Sequence, residues 1–442
     1  MVTESERAGT STHPLSPRIA ALHSELERGD AALERFWREV TAGGTPLVER
    51  IEGDDGHVLV TLLWRGDDAT RNVVAETPFD TGDPAECQMT RLPGTDVWYR
   101  TFRAPGDLRF SYYVAPNDPL IPWSQHVPWA RRVSTWRADP LNRGRRLVFP
   151  ADEEAPPGDS RGAAWEMCTV ELPAARRDRW SEPRPGVPAG RVERHRLRSE
   201  GLLPCDWLAP PLRDTRRVWV YTPAGDAPAA EPYPLLLLLD GYDYLHYVRV
   251  PTILDNLRAD GLVPPLLAVL LDTPNRLRGR ELNGSERFAD ALAQEVVPWV
   301  RRHYAVTDAP VRCVVGGLSL GGLGAAFAAS RHPEVFGAVL SQSGAFWLAR
   351  AGDNEDSEPE WFARWVAAAE RRPLRFVLDA GRLETWVPRS EAPSLLTANR
   401  HLRTVLQAKG YPVRYAEAAG GHAFFSWRLT LAEGLMSLLG SG

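Results

Sequence analysis

The stretch that decides the fold runs from Val314 to Ala326 and reads Val-Val-Gly-Gly-Leu-Ser-Leu-Gly-Gly-Leu-Gly-Ala-Ala. It begins with β-branched residues and ends with small ones, which predicts a strand, a sharp turn at Ser319 and then a helix. Glycines at positions 317 and 321 flank the serine, and the missing Cβ atoms allow so tight a turn. We therefore interpret this stretch as a nucleophile elbow with Ser319 as the candidate nucleophile.

A Gly-x-Ser-x-Gly pentapeptide alone is a weak signal, so its surroundings matter. From about residue 191 to 442, short apolar runs alternate with longer amphipathic stretches. The predicted strands are 191–197, 217–221, 235–239, 266–270, 311–315, 338–341, 374–378 and 413–417. The predicted helices include 288–303, 322–331, 358–370 and 398–409. This alternation is typical of a mostly parallel sheet with helices on both faces, so we expect an α/β-hydrolase fold.

The chain before residue 191 follows different patterns. Residues 1–44 predict a polar tail followed by one helix over 16–40, which Ser16 caps. Residues 45–175 contain β-rich runs separated by Gly, Asp and Pro turns, which predicts a small all-β sandwich domain. Residues 176–190 are rich in proline and predict a linker. The expected organisation is thus a sandwich followed by a catalytic domain over 191–442.

Composition excludes several classes of function. The net charge is −5 and the isoelectric point is about 6.1, so no basic surface indicates nucleic acid or an anionic membrane. The N-terminus carries no apolar run of the signal-peptide type, and we expect a cytoplasmic protein. The four cysteines are far apart and form no Cys-x-x-Cys pair. This spacing indicates neither a zinc site nor a disulfide framework. The serine chemistry described below is expected to use no metal and no cofactor.

A serine hydroxyl becomes a good nucleophile only when a base accepts its proton. His422 follows the last predicted strand, after Gly420 and Gly421, and precedes the final helix. This is where a hydrolase of this type presents its catalytic histidine. The other interpretation is a histidine that only caps the helix.

The third member of a triad orients and stabilises the histidine. After the predicted strand 374–378 the chain offers two acids, Asp379 and Glu384. We favour Glu384 because a residue beyond Gly381 can reach over the end of the sheet. Asp379 is the alternative, and a Ser-His dyad is the third possibility.

A tetrahedral intermediate needs hydrogen-bond donors aimed at its oxyanion. The amide of Leu320, directly after the nucleophile, is one candidate donor. The second is expected in the loop after the third predicted strand, where we choose the Tyr242 amide, with Gly241 as the alternative. Asp240 and Gly241 also fit a simple turn.

Further motifs occur in both halves of the chain. They are residues 89–98 and 138–142 in the first half, and 216–220, 238–241, 278 with 281–282, 317–323, 340–344 with 347, 381–384, 420–422 and 427–428 in the second. Together these motifs resemble the enterochelin (ferric enterobactin) esterases, and the likeness extends over nearly the whole chain from Gly44.

The resemblance implies a sandwich joined to an esterase-D-like hydrolase that cuts the serine trilactone of catecholate siderophores after import. By matching position, Ser319 would be the nucleophile, His422 the base and Glu384 the acid. The substrate would be a bulky anion with three aromatic rings, which needs arginine donors and flat aromatic walls. The candidate substrate-binding residues are Arg276, Arg278, Arg280, Trp347 and Trp427.

Two other functions remain open at this point. One is a carbohydrate-ester hydrolase, for feruloyl or acetyl esters, whose sandwich binds sugar chains. The other is a siderophore-binding protein without catalysis. The sequence does not specify the trilactone, the preference for ferric or apo ligand, the extent of hydrolysis or the oligomeric state.

Overall fold

The computed structural model describes residues 16–29, 31–79, 83–125, 127–225, 231–350, 358–387 and 392–440. The tail expected over residues 1–15 lies outside these ranges. Backbone contacts divide the chain into two units. The first comprises Met1–Val127, Arg131–Leu147 and Trp165–Arg176, and the second comprises Pro128–Ala130, Val148–Ala164 and Arg177–Gly442. The sequence placed residues 148–164 in the sandwich, whereas their contacts group them with the catalytic unit.

The first unit begins with two helices, α1 (Pro17–Leu26) and α2 (Ala31–Gly43). The Ser16 hydroxyl caps α1 by accepting from the Ile19 amide. The prediction of one continuous helix over 16–40 was wrong. Gly29 adopts a φ of 143°, which interrupts the helical path and which a residue with a Cβ rarely adopts.

Two four-stranded sheets form the rest of this unit. Their strands are β1 (Leu47–Ile51), β2 (Asp54–Arg65), β3 (Val73–Glu76), β4 (Thr90–Arg91), β5 (Val97–Pro105), β6 (Arg109–Pro116), β7 (Arg146–Phe149) and β8 (Trp165–Glu171). The order is β1-β2-β5-β4 in one sheet and β3-β6-β8-β7 in the other. A short helix, α3 (Trp129–Arg132), lies between β6 and β7 in sequence.

Aromatic side chains connect the two sheets. The Phe79 ring lies 5.1 Å from that of Phe102 on β5 and 5.3 Å from that of Phe110 on β6. Arg100 on β5 donates to the Ala75 carbonyl of β3 at 2.9 Å. The alternating pattern of the sequence therefore produces two sheets that share one apolar interior, as in a sandwich.

The second unit contains one eight-stranded sheet. Its strands are β9 (Arg191–Arg198), β10 (Thr215–Thr222), β11 (Leu235–Leu239), β12 (Leu267–Leu271), β13 (Cys313–Leu318), β14 (Ala338–Gln342), β15 (Arg375–Gly381) and β16 (Val413–Ala418). The order is β16-β15-β14-β13-β11-β12-β10-β9. The six strands from β16 to β12 are parallel to one another. Strand β10 runs antiparallel to both of its neighbours, β12 and β9. The predicted α/β-hydrolase fold is confirmed.

Helices connect these strands. They are α4 (Gly241–Asp243), α5 (Val250–Ala259), α6 (Asn275–Leu282), α7 (Glu286–Ala291), α8 (Val297–His303), α9 (Leu320–Arg331), α10 (Trp361–Ala368), α11 (Leu395–Ala408) and α12 (Phe424–Leu439). The helix predicted over 288–303 is divided into α7 and α8 by a π-helical turn, Leu292–Val296.

The core explains why these residues form these elements. All five leucines of β11 are buried, as expected for a central parallel strand covered on both faces. The glycines and alanines of α9 allow this helix to pack closely on the sheet, and its residues from Gly321 to Ser330 are buried. In the described part of the chain, no helix is both long and apolar enough to cross a membrane.

Candidate active site

Ser319 occupies the turn between β13 and α9. Its φ of 55° and ψ of −120° are rare for a residue with a Cβ. Its amide donates to the Gln342 carbonyl of β14 at 2.8 Å, which holds the turn against the neighbouring strand. A Cβ on Gly317 would lie 2.3 Å from the Gly321 backbone. The glycines therefore allow the strained turn to close beneath the serine hydroxyl.

Three side chains from separate loops form a hydrogen-bonded chain at the carboxyl end of the sheet. His422 Nε2 lies 3.1 Å from Ser319 Oγ, and His422 Nδ1 lies 2.9 Å from Glu384 Oε1. The Gly381 amide donates to Glu384 Oε2 at 2.9 Å. When Nδ1–H donates to the carboxylate, Nε2 carries the lone pair that can accept the Ser319 proton.

The acid and the base of this hydrogen-bonded chain differ in their exposure to solvent. The Glu384 side chain is 2% exposed, whereas that of His422 is 41% exposed. A buried carboxylate beside the ring stabilises the imidazolium that forms when the ring takes a proton. The open side of the ring leaves room for a substrate.

Asp379, the alternative acid, lies within β15 and is 4% exposed. Burial, followed by the charge of Glu384, raises the pKa of Asp379 well above its ordinary value. A raised pKa favours the uncharged carboxyl, which stabilises an imidazolium less than a carboxylate does. Glu384 is the candidate whose carboxylate lies 2.9 Å from His422 Nδ1, so the arrangement is that of a triad rather than a dyad.

The two amides predicted as oxyanion donors lie in the first turns of helices. Leu320 is the first residue of α9, and Tyr242 is the second residue of α4. Amides in a first turn have no partner within their own helix, so they are available to an anion. A Cβ on Gly241 would lie 2.5 Å from the Leu270 carbonyl carbon, so the α4 turn fits closely against β12. The oxyanion role of these amides stays a prediction, with Gly241 as the alternative.

Asp240, which precedes α4, is a site residue that the sequence reasoning treated only as part of a turn. It is fully buried and adopts a left-handed conformation with a φ of 59°. Arg278 donates from Nε to Oδ1 at 2.8 Å and from Nη2 to Oδ2 at 2.7 Å. The Thr273 hydroxyl donates to Oδ1 at 2.7 Å. A Cβ on Gly321 would lie 2.6 Å from Asp240 Oδ2, so the elbow and this turn pack directly against each other.

The predicted substrate-binding arginines differ in their surroundings. Arg276 and Arg280 are exposed on α6, one helical turn apart. Arg278 is partly buried, and two of its donors are engaged by Asp240. Trp347 is partly exposed beyond β14. Binding of substrate by these residues stays a prediction.

Trp427, a candidate substrate-binding residue, is buried beside the catalytic histidine. The residue is 4% exposed, so it offers almost no surface to a ligand. The ring lies edge-on to the His422 imidazole, with centroids 4.8 Å apart and an interplanar angle of 84°. Its Nε1 donates to Ser343 Oγ at 2.9 Å. The tryptophan therefore supports the histidine rather than forming an open substrate wall.

The acidic and histidine side chains around the site are not grouped as metal ligands. Within the described ranges, no cluster of three or more His, Cys, Asp or Glu side chains is arranged to hold a metal ion. The chemistry visible at this site is that of a serine, a base and an acid.

The chain is similar over most of its length to proteins that are already known. Residues 59–180 match the family model described as "Enterochelin esterase, N-terminal", and residues 210–438 match the model described as "Putative esterase". The iron(III) enterobactin esterase of Dickeya dadantii (strain 3937) is 30% identical, and the match covers 95% of each chain. The chain belongs to the enterochelin esterase family. The resemblance inferred from the motifs is confirmed, and the protein is an esterase.

Other members of the family agree in sequence and structure. The iron(III) salmochelin esterase of Escherichia coli O6:H1 is 27% identical, and the match covers 97% of this chain and 98% of that protein. The crystal structure of ferric enterobactin esterase from Salmonella typhimurium aligns with a TM-score of 0.70 at 29% identity, over 92% of this chain and 98% of that chain. The Shigella flexneri enterobactin esterase in the presence of enterobactin aligns with a TM-score of 0.69 at 28% identity, over 92% of this chain and 97% of that chain.

Proposed function

We propose that the protein is a cytoplasmic serine esterase that hydrolyses the trilactone ester bonds of a catecholate siderophore of the ferric enterobactin type and so releases iron. The observation that carries the proposal is the hydrogen-bonded chain Ser319, His422 and Glu384. It occurs in a chain whose Dickeya relative, similar over 95% of the length, is an iron(III) enterobactin esterase.

The proposed reaction follows from these contacts. Ser319 Oγ attacks a lactone carbonyl while His422 Nε2 takes the hydroxyl proton and Glu384 stabilises the imidazolium. The amides of Leu320 and Tyr242 donate to the oxyanion of the tetrahedral intermediate. His422 then gives its proton to the leaving serine oxygen of the siderophore, which produces an acyl-enzyme.

A water molecule completes the cycle. His422 removes a proton from this water, the hydroxide attacks the acyl carbonyl, and the proton returns to Ser319 Oγ. No cofactor takes part in these steps, and any iron belongs to the substrate.

Substrate recognition is proposed to use charge. The exposed guanidinium groups of Arg276 and Arg280 would attract a catecholate anion, and the partly exposed Trp347 would supply an aromatic wall. Replacing both arginines by glutamine is expected to raise KM severalfold at low salt and less at high salt. Arg302→Gln, an exposed arginine on α8, is the matched control and should leave KM unchanged.

Product analysis tests the proposed activity. Purified protein is incubated with ferric and apo enterobactin, and the linear trimer, dimer and monomer are separated by chromatography. We expect turnover by the wild type and none by Ser319→Ala. Ser330→Ala is the control, because the hydroxyl of this buried serine donates to the Ala326 carbonyl within α9 itself, and the variant should keep full activity. Intact trilactone after incubation with well-folded wild type would refute the proposal.

The alternatives are not favoured. The relatives that match both halves of the chain are enterobactin and salmochelin esterases, which does not support a carbohydrate-ester hydrolase. The hydrogen-bonded serine, histidine and glutamate do not support a protein that only binds siderophores.

A further inference from the structure

Arg161 is a buried arginine in a single 3-10 turn, Ser160–Gly162, of the catalytic unit. It lies on the Val148–Ala164 segment, and its side chain is 3% exposed. Its Nη1 donates to Asp272 Oδ1 at 2.9 Å, and its Nη2 donates to the Thr273 carbonyl at 3.2 Å. Its Nε lies 3.1 Å from Asp243 Oδ1, an ion-pair contact. One guanidinium thus joins the end of β12 to the last residue of α4.

A second arginine holds the same segment on the sheet. Arg217 of β10 donates from Nη1 to Asp152 Oδ1 at 2.6 Å and from Nη2 to Asp152 Oδ2 at 2.5 Å. Its Nε donates to Asp272 Oδ2 at 2.8 Å. Arg161 and Arg217 therefore share Asp272, and the segment that supplies Asp152 and Arg161 is fixed at two points.

The two arginines also enclose Tyr242. The Arg161 guanidinium carbon lies 5.3 Å from the centre of the Tyr242 ring, and that of Arg217 lies 5.4 Å from it. The tyrosine hydroxyl donates to the Pro150 carbonyl at 3.2 Å. Cations at this distance are attracted to an aromatic ring, more strongly when water is excluded. The side chain of Tyr242 therefore has little freedom to move.

The α4 turn is consequently held at both ends by ion pairs to buried carboxylates. Asp240, before the turn, is bound by Arg278, and Asp243, at its end, is bound by Arg161. An oxyanion donor is effective only when its amide is already aimed at the developing charge. Loss of Arg161 would leave the buried Asp243 carboxylate without this cation, and the turn would shift to relieve the desolvation.

We propose that Arg161 is a positioning residue of the esterase reaction, which acts by fixing the Gly241-Tyr242 turn whose amides receive the oxyanion. The inference rests on the proposed roles of Ser319 and this turn. It concerns every ester that the site accepts, not only a siderophore.

The test compares Arg161→Lys with Arg216→Lys. Arg216 is equally buried and pairs with Glu281 at 2.8 Å. It also donates to the backbone carbonyls of Asp272 at 3.0 Å and Leu203 at 2.9 Å, and none of these partners belongs to the α4 turn. Lysine keeps the charge but loses the forked geometry at both sites. The assay uses p-nitrophenyl acetate, and kcat is expressed per active site, counted by titration with a fluorophosphonate. A loss of folded protein therefore does not appear as a loss of kcat.

We expect Arg161→Lys to lower kcat about tenfold or more with KM nearly unchanged, since one oxyanion donor is worth about 10²–10³ in kcat. Arg216→Lys should keep kcat within about twofold even where it lowers the thermal midpoint equally. Asp243→Asn removes the carboxylate of the same ion pair, so it should lower kcat to a similar extent. If Arg161→Lys does not fold, the kcat of Asp243→Asn alone tests the inference.

Two results would overturn the inference. One is wild-type kcat in both Arg161→Lys and Asp243→Asn, and the other is an equal loss of kcat in Arg216→Lys. Failure of the proposed function looks different, because Ser319→Ala would then still hydrolyse p-nitrophenyl acetate or the wild type would leave the trilactone intact.

Discussion

Glu384→Gln tests the electrostatic part of the proposed triad. The amide keeps the shape of the side chain but removes the charge that stabilises the imidazolium. At the observed separation of 2.9 Å, two unit charges attract by about 6 kcal/mol at an effective dielectric constant of about 20. His422 is 41% exposed, so solvent screens part of this energy, and we take about half of it. The expected loss of kcat is therefore about 10²–10³-fold.

Steady-state kinetics on the trilactone and on p-nitrophenyl acetate measure this loss, with Asp379→Asn as the matched control. Burial and the charge of Glu384 raise the pKa of Asp379, so its carboxyl is less readily charged than an exposed one. We expect Asp379→Asn to stay within about threefold of wild type, since Glu384 is the acid that contacts the His422 ring. A large loss in Asp379→Asn together with near-normal kcat in Glu384→Gln would refute the assignment of the acid.

Gly321→Ala should lower kcat and cost about 1–3 kcal/mol of unfolding free energy, since its Cβ would lie 2.6 Å from the buried Asp240 carboxylate. Gly279→Ala meets nothing within 4 Å, so urea denaturation should show no loss, and equal losses in the two variants would contradict the packing argument. Glu281→Gln should cost about 3–5 kcal/mol in the same assay because it leaves a fully buried arginine charge unpaired, and a loss below about 1 kcal/mol would refute this. Asp379→Asn should stabilise the protein more at pH 8 than at pH 5. The pKa of Asp379 is raised on folding, so the unfolded chain loses this proton at a lower pH than the folded protein does. The wild type therefore loses stability as the pH rises above the unfolded pKa, and a gain in Asp379→Asn that does not increase with pH would contradict the raised pKa.

Local sequence patterns predicted the parts of the fold that local physics determines. The five leucines of β11 form a strand with the predicted bounds because an apolar run of this length is buried on both faces of the sheet. The glycines around Ser319 predicted the elbow because only they permit its backbone geometry. The order serine, acid, histidine placed Ser319, Glu384 and His422 after β13, β15 and β16, at the same edge of the sheet.

Long-range ion pairs were not predictable in the same way. Arg161 and Asp272 are 111 residues apart, and an arginine in a Pro-rich loop resembles any solvated surface charge. Arg278 was predicted for the substrate, but its bidentate contact with Asp240 depends on how the β11 and β12 loops fold together. The burial of Trp427 against His422 likewise depends on the position of α12, which no local pattern specifies.

The most direct test of the central claim is detection of the covalent intermediate. Wild-type protein is mixed with the trilactone, quenched within milliseconds, digested and examined by mass spectrometry. The account predicts an acyl adduct of the linear trimer on the peptide that contains Ser319, with slower decay of that adduct in Glu384→Gln, since His422 then activates water less well. Continued turnover of the trilactone by Ser319→Ala, or an adduct on a different residue, would contradict it.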